Sequence, residues 1–278
     1  MTIDAPCRTV LITGSGSGIG AATVRRFLDT NWTVWATDVD EEALNRLPQD
    51  CYQVPLDVTD PDRIDTVVEQ VLDRNGRLDC LVNNAGFAVP GTVEDVSRAA
   101  ARQVFDVVVH GARDMIQATL PHLRQVGGSI VNVSSVLGRT AFPGLGAYCS
   151  AKFALGGLTD ALRQEVGDAV DVVAVEPAWV DTDFARTARE QLGRVDKTPA
   201  YCDVYSLYGE GSVLKGGRLA VPPDRVARTI MTAATATDPP ARYHVGWVAK
   251  VIAATAWLPD SIQDWSRRTF APLIAKYL

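Results

Sequence analysis

The sequence predicts an α/β protein: a doubly wound parallel sheet of about seven strands with helices on both faces. Three observations predict it. From residue 8 onward, short runs rich in β-branched residues alternate with helical patterns. Those runs are nearly continuously apolar, as strands covered on both faces are. The first run leads straight into a cluster of glycines that opens a helix, an arrangement that presents backbone N–H groups to a phosphate.

Taken in order, the strands are expected at RTVLIT (8–13), WTVWAT (32–37), YQVPL (52–56), DCLVN (79–83), SIVNVS (129–134) and VDVVAVE (170–176). Helical periodicity fills the intervals, most clearly over 19–29, 61–74, 98–125 and 147–166. The pattern stays uniform to residue 176 without repeat or boundary, so residues 1–278 are read as a single nucleotide-binding domain. After Phe184 it changes. Residues 185–221 are rich in charge, glycine and tyrosine, show no clear strand, and read as an irregular substrate lid. A helix start follows at VPPDRVARTIMTAATA, then a short strand at ARYHVG and an apolar run over 245–258. The C-terminal extension, 246–278, places Ile262, Trp265, Phe270, Leu273 and Tyr277 roughly on one helix face, with Pro272 interrupting it. Packing against the core or a sister subunit is the expected use of these aromatics. A membrane surface is the alternative, disfavoured by the few basic residues nearby.

Composition narrows the function classes. The chain has 278 residues, 47% of them hydrophobic, with 27 Lys+Arg against 33 Asp+Glu and a net charge of −6. No basic run stands out, so neither nucleic acid nor an anionic lipid surface is an expected partner. The five cysteines (Cys7, Cys51, Cys80, Cys149, Cys202) form no CxxC pair and are odd in number, as suits reduced thiols. The N-terminus lacks the charged and apolar regions of a signal peptide. The run Val245–Leu258 is interrupted by Lys250 and falls short of the ~20 residues that span a bilayer. No integral membrane segment is expected, and the expected location is the cytoplasm. Three widely separated histidines (His110, His122, His244) without HExxH argue against a metal site. The absence of G-x-S-x-G argues against a serine hydrolase.

Two motifs carry chemistry. After the first strand comes Thr13-Gly14-Ser15-Gly16-Ser17-Gly18-Ile19-Gly20. Its glycines let the backbone turn tightly and approach a pyrophosphate, and the helix N-terminus stabilises that charge, as in a Rossmann-type fold. Asp38 follows the second strand, 24 residues beyond Gly14. A carboxylate there would accept from ribose hydroxyls and repel a 2′-phosphate, which favours NAD over NADP. The plain alternative is a turn aspartate. The second motif is Tyr148-Cys149-Ser150-Ala151-Lys152, with Ser135 thirteen residues earlier at a strand end. Positions i and i+4 share a helix face, so an ammonium can lower the pKa of a phenol that exchanges a proton with an alcohol or carbonyl.

In TGSGSGIG (13–20), LDV (56–58), NNAG (83–86), SS (134–135), YCSAK (148–152) and PAWVDT (177–182), the chain resembles the short-chain dehydrogenase/reductase family. The resemblance implies strand order 3-2-1-4-5-6-7 and a set of roles. Ser135, Tyr148 and Lys152 would be catalytic, with Lys152 also binding the nicotinamide ribose. Gly14, Ser15, Ser17, Gly18, Ile19 and Gly20 would cradle the cofactor. Asp57 and Val58 would contact adenine, Asn84, Ala85 and Gly86 would line the cleft, and Pro177, Val180 and Thr182 would lie at the carboxamide. It also implies a homodimer or homotetramer built on helices 98–125 and 147–166. Two positions depart from the family pattern. Ala178 replaces the usual glycine after Pro177, and Val108 stands where the family has an asparagine that holds a relay water linked to the lysine. His110, roughly 200° further round an α-helix, cannot simply replace it; interface packing or the cofactor cleft is its expected place.

The expected activity is therefore NAD-dependent interconversion of a secondary alcohol and a ketone, or of a primary alcohol and an aldehyde. The competing reading is an NAD(H)-binding protein with weak or lost catalysis, acting as a sensor or interaction module. The presence of all three catalytic residues favours the enzyme. Trp179, Phe184, Tyr201, Tyr205 and Tyr208 cluster around the lid, with Phe142 shortly before Tyr148. They suit a steroid-, retinoid- or lipid-like substrate, or else the tyrosines simply pin a loop.

Overall fold

Runs of valine, isoleucine and threonine, stiff at χ1, favour a pleated chain. The computed structural model, which describes residues 7–209, 214, 216–265 and 269, has a strand at each expected run. The chain order is β1 (Arg8–Thr13), α1 (Gly18–Leu28), β2 (Trp32–Asp38), α2 (Glu41–Leu44), β3 (Tyr52–Pro55), α3 (Pro61–Asn75), β4 (Cys80–Asn83) and α4 (Arg98–Phe105). It continues with α5 (Ala112–Val126), β5 (Ser129–Val133), α6 (Gly146–Val166), β6 (Asp171–Pro177), α7 (Phe184–Leu192), α8 (Cys202–Ser206), α9 (Pro223–Thr235), β7 (Arg242–Val245) and α10 (Trp247–Thr255). The seven strands are parallel neighbours in the order β3-β2-β1-β4-β5-β6-β7, the order the resemblance implies.

The side-chain period of two sorts each strand between two cores. Val10 and Ile12 of β1 join Val34, Val82, Val131 and Val173 on the face covered by Val24 and Phe27 of α1 and Val226 and Ile230 of α9. Leu11 points the other way, with Leu81, Ile130 and Val172, against Ile64, Val67 and Val71 of α3 and Met115 and Leu123 of α5. Phe27 and Ile230 are fully buried, so truncating either to alanine would cost roughly 2–5 kcal/mol. Local signals set the helix ends. The Asp60 carboxylate accepts from the Arg63 N–H, Pro61 opens α3, and Gly76 at φ 70° ends it in the left-handed region.

Two expectations change. The helix expected over 98–125 is not one α-helix: Asp106–Gly111 between α4 and α5 is a π-helical turn, and Val108 lies in it. Such a turn carries one extra residue, so face counts made at 100° per residue do not cross it. Segment 185–221, expected to be irregular, carries α7, α8 and 3₁₀ turns at Pro199–Tyr201 and Gly217–Leu219. Ala185, Ala188 and Leu192 give α7 an apolar stripe at spacings of three and four, and all three are buried. Of the late apolar residues, Ile262 and Trp265 are 45% and 62% exposed. Phe270, Leu273 and Tyr277 lie outside the described residues. Among the described residues no helix is long and apolar enough to cross a membrane.

Candidate active site

An open parallel sheet binds ligands beyond the carboxyl ends of its strands, where the strand order reverses. Here that point lies between β1 and β4, and a cavity of about 860 Å³ opens there. One end is walled by Gly14, Ser17, Gly18, Ile19, Asp38 and Asp57, and the middle by Val58, Asn84, Ala85 and Gly86. The other end holds Ser135, Tyr148, Lys152, Pro177, Val180 and Thr182, so residues 168 positions apart in sequence face one space.

The glycine loop is main chain packed on main chain. Gly14 has φ 66°, and a Cβ there would fall 2.8 Å from the Ala85 Cα; a Cβ on Gly20 would fall 2.0 Å from the Gly14 carbonyl oxygen. Asn84 locks this approach, its Nδ2 donating to the carbonyls of Thr13 (3.0 Å) and Gly14 (2.8 Å). The first turn of α1 has no acidic residue, and the Ser17 side chain makes no capping hydrogen bond. A helix N-terminus left uncapped beside glycines fits an anionic pyrophosphate. Two loop residues expected to touch the cofactor do not reach the cavity wall. Ser15 is fully buried, donating its Oγ to the Ile12 carbonyl at 2.9 Å and its N–H to the Thr37 carbonyl at 2.9 Å. Gly20 faces the Gly14 backbone. Their work is to shape the turn.

Asp38 ends β2 at the cavity edge, where its carboxylate accepts from the Gly16 N–H at 2.8 Å and the Asp40 N–H at 3.0 Å. Asp57 accepts from the N–H and hydroxyl of Thr59, at 2.9 and 2.8 Å. Thr182 lies across the start of α1, its Cγ2 3.0 Å from where a Gly18 Cβ would be.

At the far end, α6 carries Tyr148 and Lys152 inward and both are buried. Burial pushes the Tyr148 phenol well up, and a hydrogen bond with Ser135 pulls weakly the other way. Lys152 is lowered to about 8 by burial, and its Nζ donates to the Val133 carbonyl at 2.8 Å. The Lys152 ammonium sits 5.7 Å from the centre of the phenol ring. The net direction for Tyr148 is upward, set chiefly by burial. The Ser135 hydroxyl donates to the Pro177 carbonyl at 3.5 Å and accepts from the Leu137 N–H at 3.1 Å.

The walls around this end are apolar: Phe87, Leu137, Phe142, Leu145, Trp179 and Phe184, with Leu258 beyond. The Phe184 ring stands 5.5 Å from the Tyr148 ring at 57°. The tyrosines of the 185–221 segment do not line the cavity. Tyr201 donates to Glu94, Tyr205 to Asp95 and Tyr208 to the Pro143 carbonyl, so they pin the segment. His110 is exposed and outside the cavity wall, which removes the cofactor cleft as its place. The Val108 side chain is buried, and it and the Lys152 Nζ lie 3.4 and 3.9 Å from where a Gly86 Cβ would be.

Glu176 escaped the sequence reading. Fully buried before Pro177, it accepts from Arg139 at 3.2 Å and Arg242 at 2.7 Å, and lies 3.0 Å from the Nδ1 of His244. Arg242 also pairs with Asp160 of α6. The cluster joins the loop after Ser135, the Tyr148 helix and the Pro177 strand. Contacts whose partners lie 37 to 82 positions apart leave no local pattern in a sequence. Among the described residues, no group of three or more His, Cys, Asp or Glu side chains could hold a metal ion.

With this geometry in hand, three comparisons bear on the chain. A family model described as short chain dehydrogenase matches residues 8–193. The 3-ketodihydrosphingosine reductase of Bacteroides thetaiotaomicron is 29% identical over 268 residues, 94% of this chain and 97% of that protein. Among solved structures, a short-chain dehydrogenase from Streptomyces avermitilis superposes with a TM-score of 0.80 at 31% identity, covering 96% of this chain and 97% of that one. A short-chain dehydrogenase/reductase from Burkholderia phymatum in complex with NAD gives 0.77 at 25% identity, covering 94% and 95%.

Proposed function

Because the chain belongs to the short-chain dehydrogenase/reductase family and is an oxidoreductase of CH–OH groups, we propose that it interconverts a sizeable apolar secondary alcohol and its ketone, with NAD as cofactor. The observation that carries this reading is the single cavity joining an uncapped helix N-terminus and glycine backbone to Ser135, Tyr148 and Lys152.

When bound, a nicotinamide cofactor supplies or accepts the hydride. The chain does the rest. Backbone N–H groups of Gly18 and Ile19 hold the pyrophosphate, and Asp38 takes the ribose hydroxyls. Asp57 and Val58 flank the adenine, and Asn84, Ala85 and Gly86 line the middle of the cleft. Pro177, Val180 and Thr182 hold the carboxamide end. The Ser135 hydroxyl donates to the substrate oxygen. The Tyr148 hydroxyl gives its proton to a ketone or takes one from an alcohol. A buried phenol is loaded with its proton at neutral pH, which suits reduction; a charged Lys152 favours the phenolate that oxidation needs. Segment 184–208 acts as the lid that keeps water from this exchange.

NAD is supported by Asp38 at the cavity edge and by a glycine loop with no Lys or Arg for a 2′-phosphate. A long apolar substrate is supported by the aromatic and aliphatic wall around Tyr148, and by a relative whose name specifies a sphingoid ketone. The test is a fluorescence titration with NADH and NADPH, followed by turnover of secondary alcohols of increasing chain length. NADH should bind more tightly, and kcat/KM should rise with chain length. Tighter NADPH binding would remove the cofactor assignment, and a preference for sugars or short polar alcohols would remove the substrate class.

A further inference from the structure

Segment 184–208 is held down by two adjacent carboxylates on the loop that follows β4. Asp95 accepts the Thr198 hydroxyl at 2.5 Å, the Thr198 N–H at 3.2 Å, the Tyr205 hydroxyl, and the Thr92 hydroxyl at 2.8 Å. Glu94, its neighbour, accepts the Tyr201 hydroxyl at 2.6 Å. The Tyr205 hydroxyl also receives the Thr92 N–H at 3.3 Å. Three donors to Asp95 come from the segment, 103 to 110 positions away, and none of these groups lines the cavity. What the segment contributes to the cavity is Phe184, Thr187 and Gln191, all on α7. The hydrogen bonds therefore act on one end of a strap whose other end touches the substrate space. They also draw the Asp95 carboxyl down to about 2, chiefly through the Thr198 and Tyr205 hydroxyls, so the acceptor is charged at any working pH.

We propose that Glu94 and Asp95 are the latch of this lid, and that Asp95 is a positioning residue that sets affinity for bulky apolar substrates without touching them. The proposal rests on the reading of 184–208 as a lid over an apolar-alcohol site. A closed lid completes the wall around a long substrate, while a short one is held by Ser135 and Tyr148 alone. Apparent affinity falls in proportion to the fraction of molecules with the lid closed. Hydrogen bonds to a charged acceptor are strong enough that losing them shifts such an equilibrium about tenfold or more.

The experiment compares wild type with Asp95→Ala, Asp95→Asn and Tyr205→Phe in two ways. Limited trypsin digestion, read by mass spectrometry, follows cleavage at the exposed Arg194 and Lys197. Steady-state kinetics give KM and kcat for a short and a long-chain secondary alcohol, with NADH affinity by fluorescence. Cleavage should quicken about tenfold in Asp95→Ala and less in the two milder variants. KM for the long alcohol should rise about tenfold with kcat not lowered, while KM for the short alcohol and NADH affinity stay put. Unchanged cleavage, or equal KM increases for both alcohols, overturns the latch. If Asp95→Ala fails to fold, the two milder variants decide. If no alcohol is turned over at all, the functional reading fails, and the trypsin rates alone judge whether Asp95 holds the segment.

Discussion

On the Asp38 side of the cavity the wall is main chain and small side chains hung on strand ends, where a Cβ at Gly14 would collide with backbone. On the Phe184 side it is large side chains carried on α7 and its neighbours, held by hydroxyl-to-carboxylate bonds to another loop. Backbone held in a sheet has one arrangement, so the first half can bind only what matches its N–H groups. Side chains on a strap can be exchanged without disturbing the sheet. The first half suits a constant ligand, and the second suits a substrate that differs from one relative to another.

Four variants break or sharpen this contrast. Tyr148→Phe should have the largest effect, since general acid–base catalysis is worth roughly 10²–10⁴-fold. It should cut kcat by that much and leave NADH affinity nearly intact; rapid turnover by the phenylalanine enzyme would refute the mechanism. Lys152→Met should abolish turnover and weaken NADH binding, yet stabilise the protein without cofactor. The lysine lies at about 8 in the folded chain against its ordinary 10.5, so below pH 8 folding buries a cation at a cost of up to about 3 kcal/mol. Between pH 8 and 10.5 the unfolded chain binds a proton that the folded one lacks, so wild-type stability climbs with pH. Chemical denaturation should show the methionine variant ahead at pH 7 and that lead shrinking over this window.

Asp38→Ser acts on the other half. It should leave kcat alone and shift the NADH-to-NADPH affinity ratio about tenfold toward NADPH, since one charge repulsion of about 1.4 kcal/mol is removed. An unchanged ratio would return Asp38 to the status of a turn aspartate. Val108→Asn should have the smallest effect, raising kcat a few-fold by restoring a hydrogen-bonding side chain near Lys152. A flat or lower rate in a folded variant would mean that proton exchange takes another route.

The first half was readable from residues 13–20 and 38 because backbone requirements leave a signature in residue type: glycine where nothing else fits, an acid after the second strand. The pair Tyr148 and Lys152 was readable because helical spacing brings them together. What escaped has no local period. Glu176 finds Arg242, and Asp95 finds Thr198, only because distant segments fold onto each other. Segment 185–221 read as irregular because its charges and glycines outnumber the three apolar positions that make α7 a helix. The π turn at Asp106–Gly111 was hidden because the apolar residues on either side are each compatible with a continuous α-helix.

The Glu176 cluster also bears on how the molecule is made. Glu176 emerges from the ribosome well before Arg242, and the two belong to adjacent strands of the finished sheet. Until β7 arrives, Glu176 lacks Arg242, and a buried carboxylate short of a cation is strongly disfavoured. The end of β6, with Pro177 and the carbonyl that Ser135 addresses, therefore cannot take its final form on a chain truncated before residue 242. The Ser135 end of the cavity is therefore completed only once β7 has been made. Premature termination between the end of β6 and residue 242 thus leaves the Ser135 and Pro177 end of the cavity unassembled.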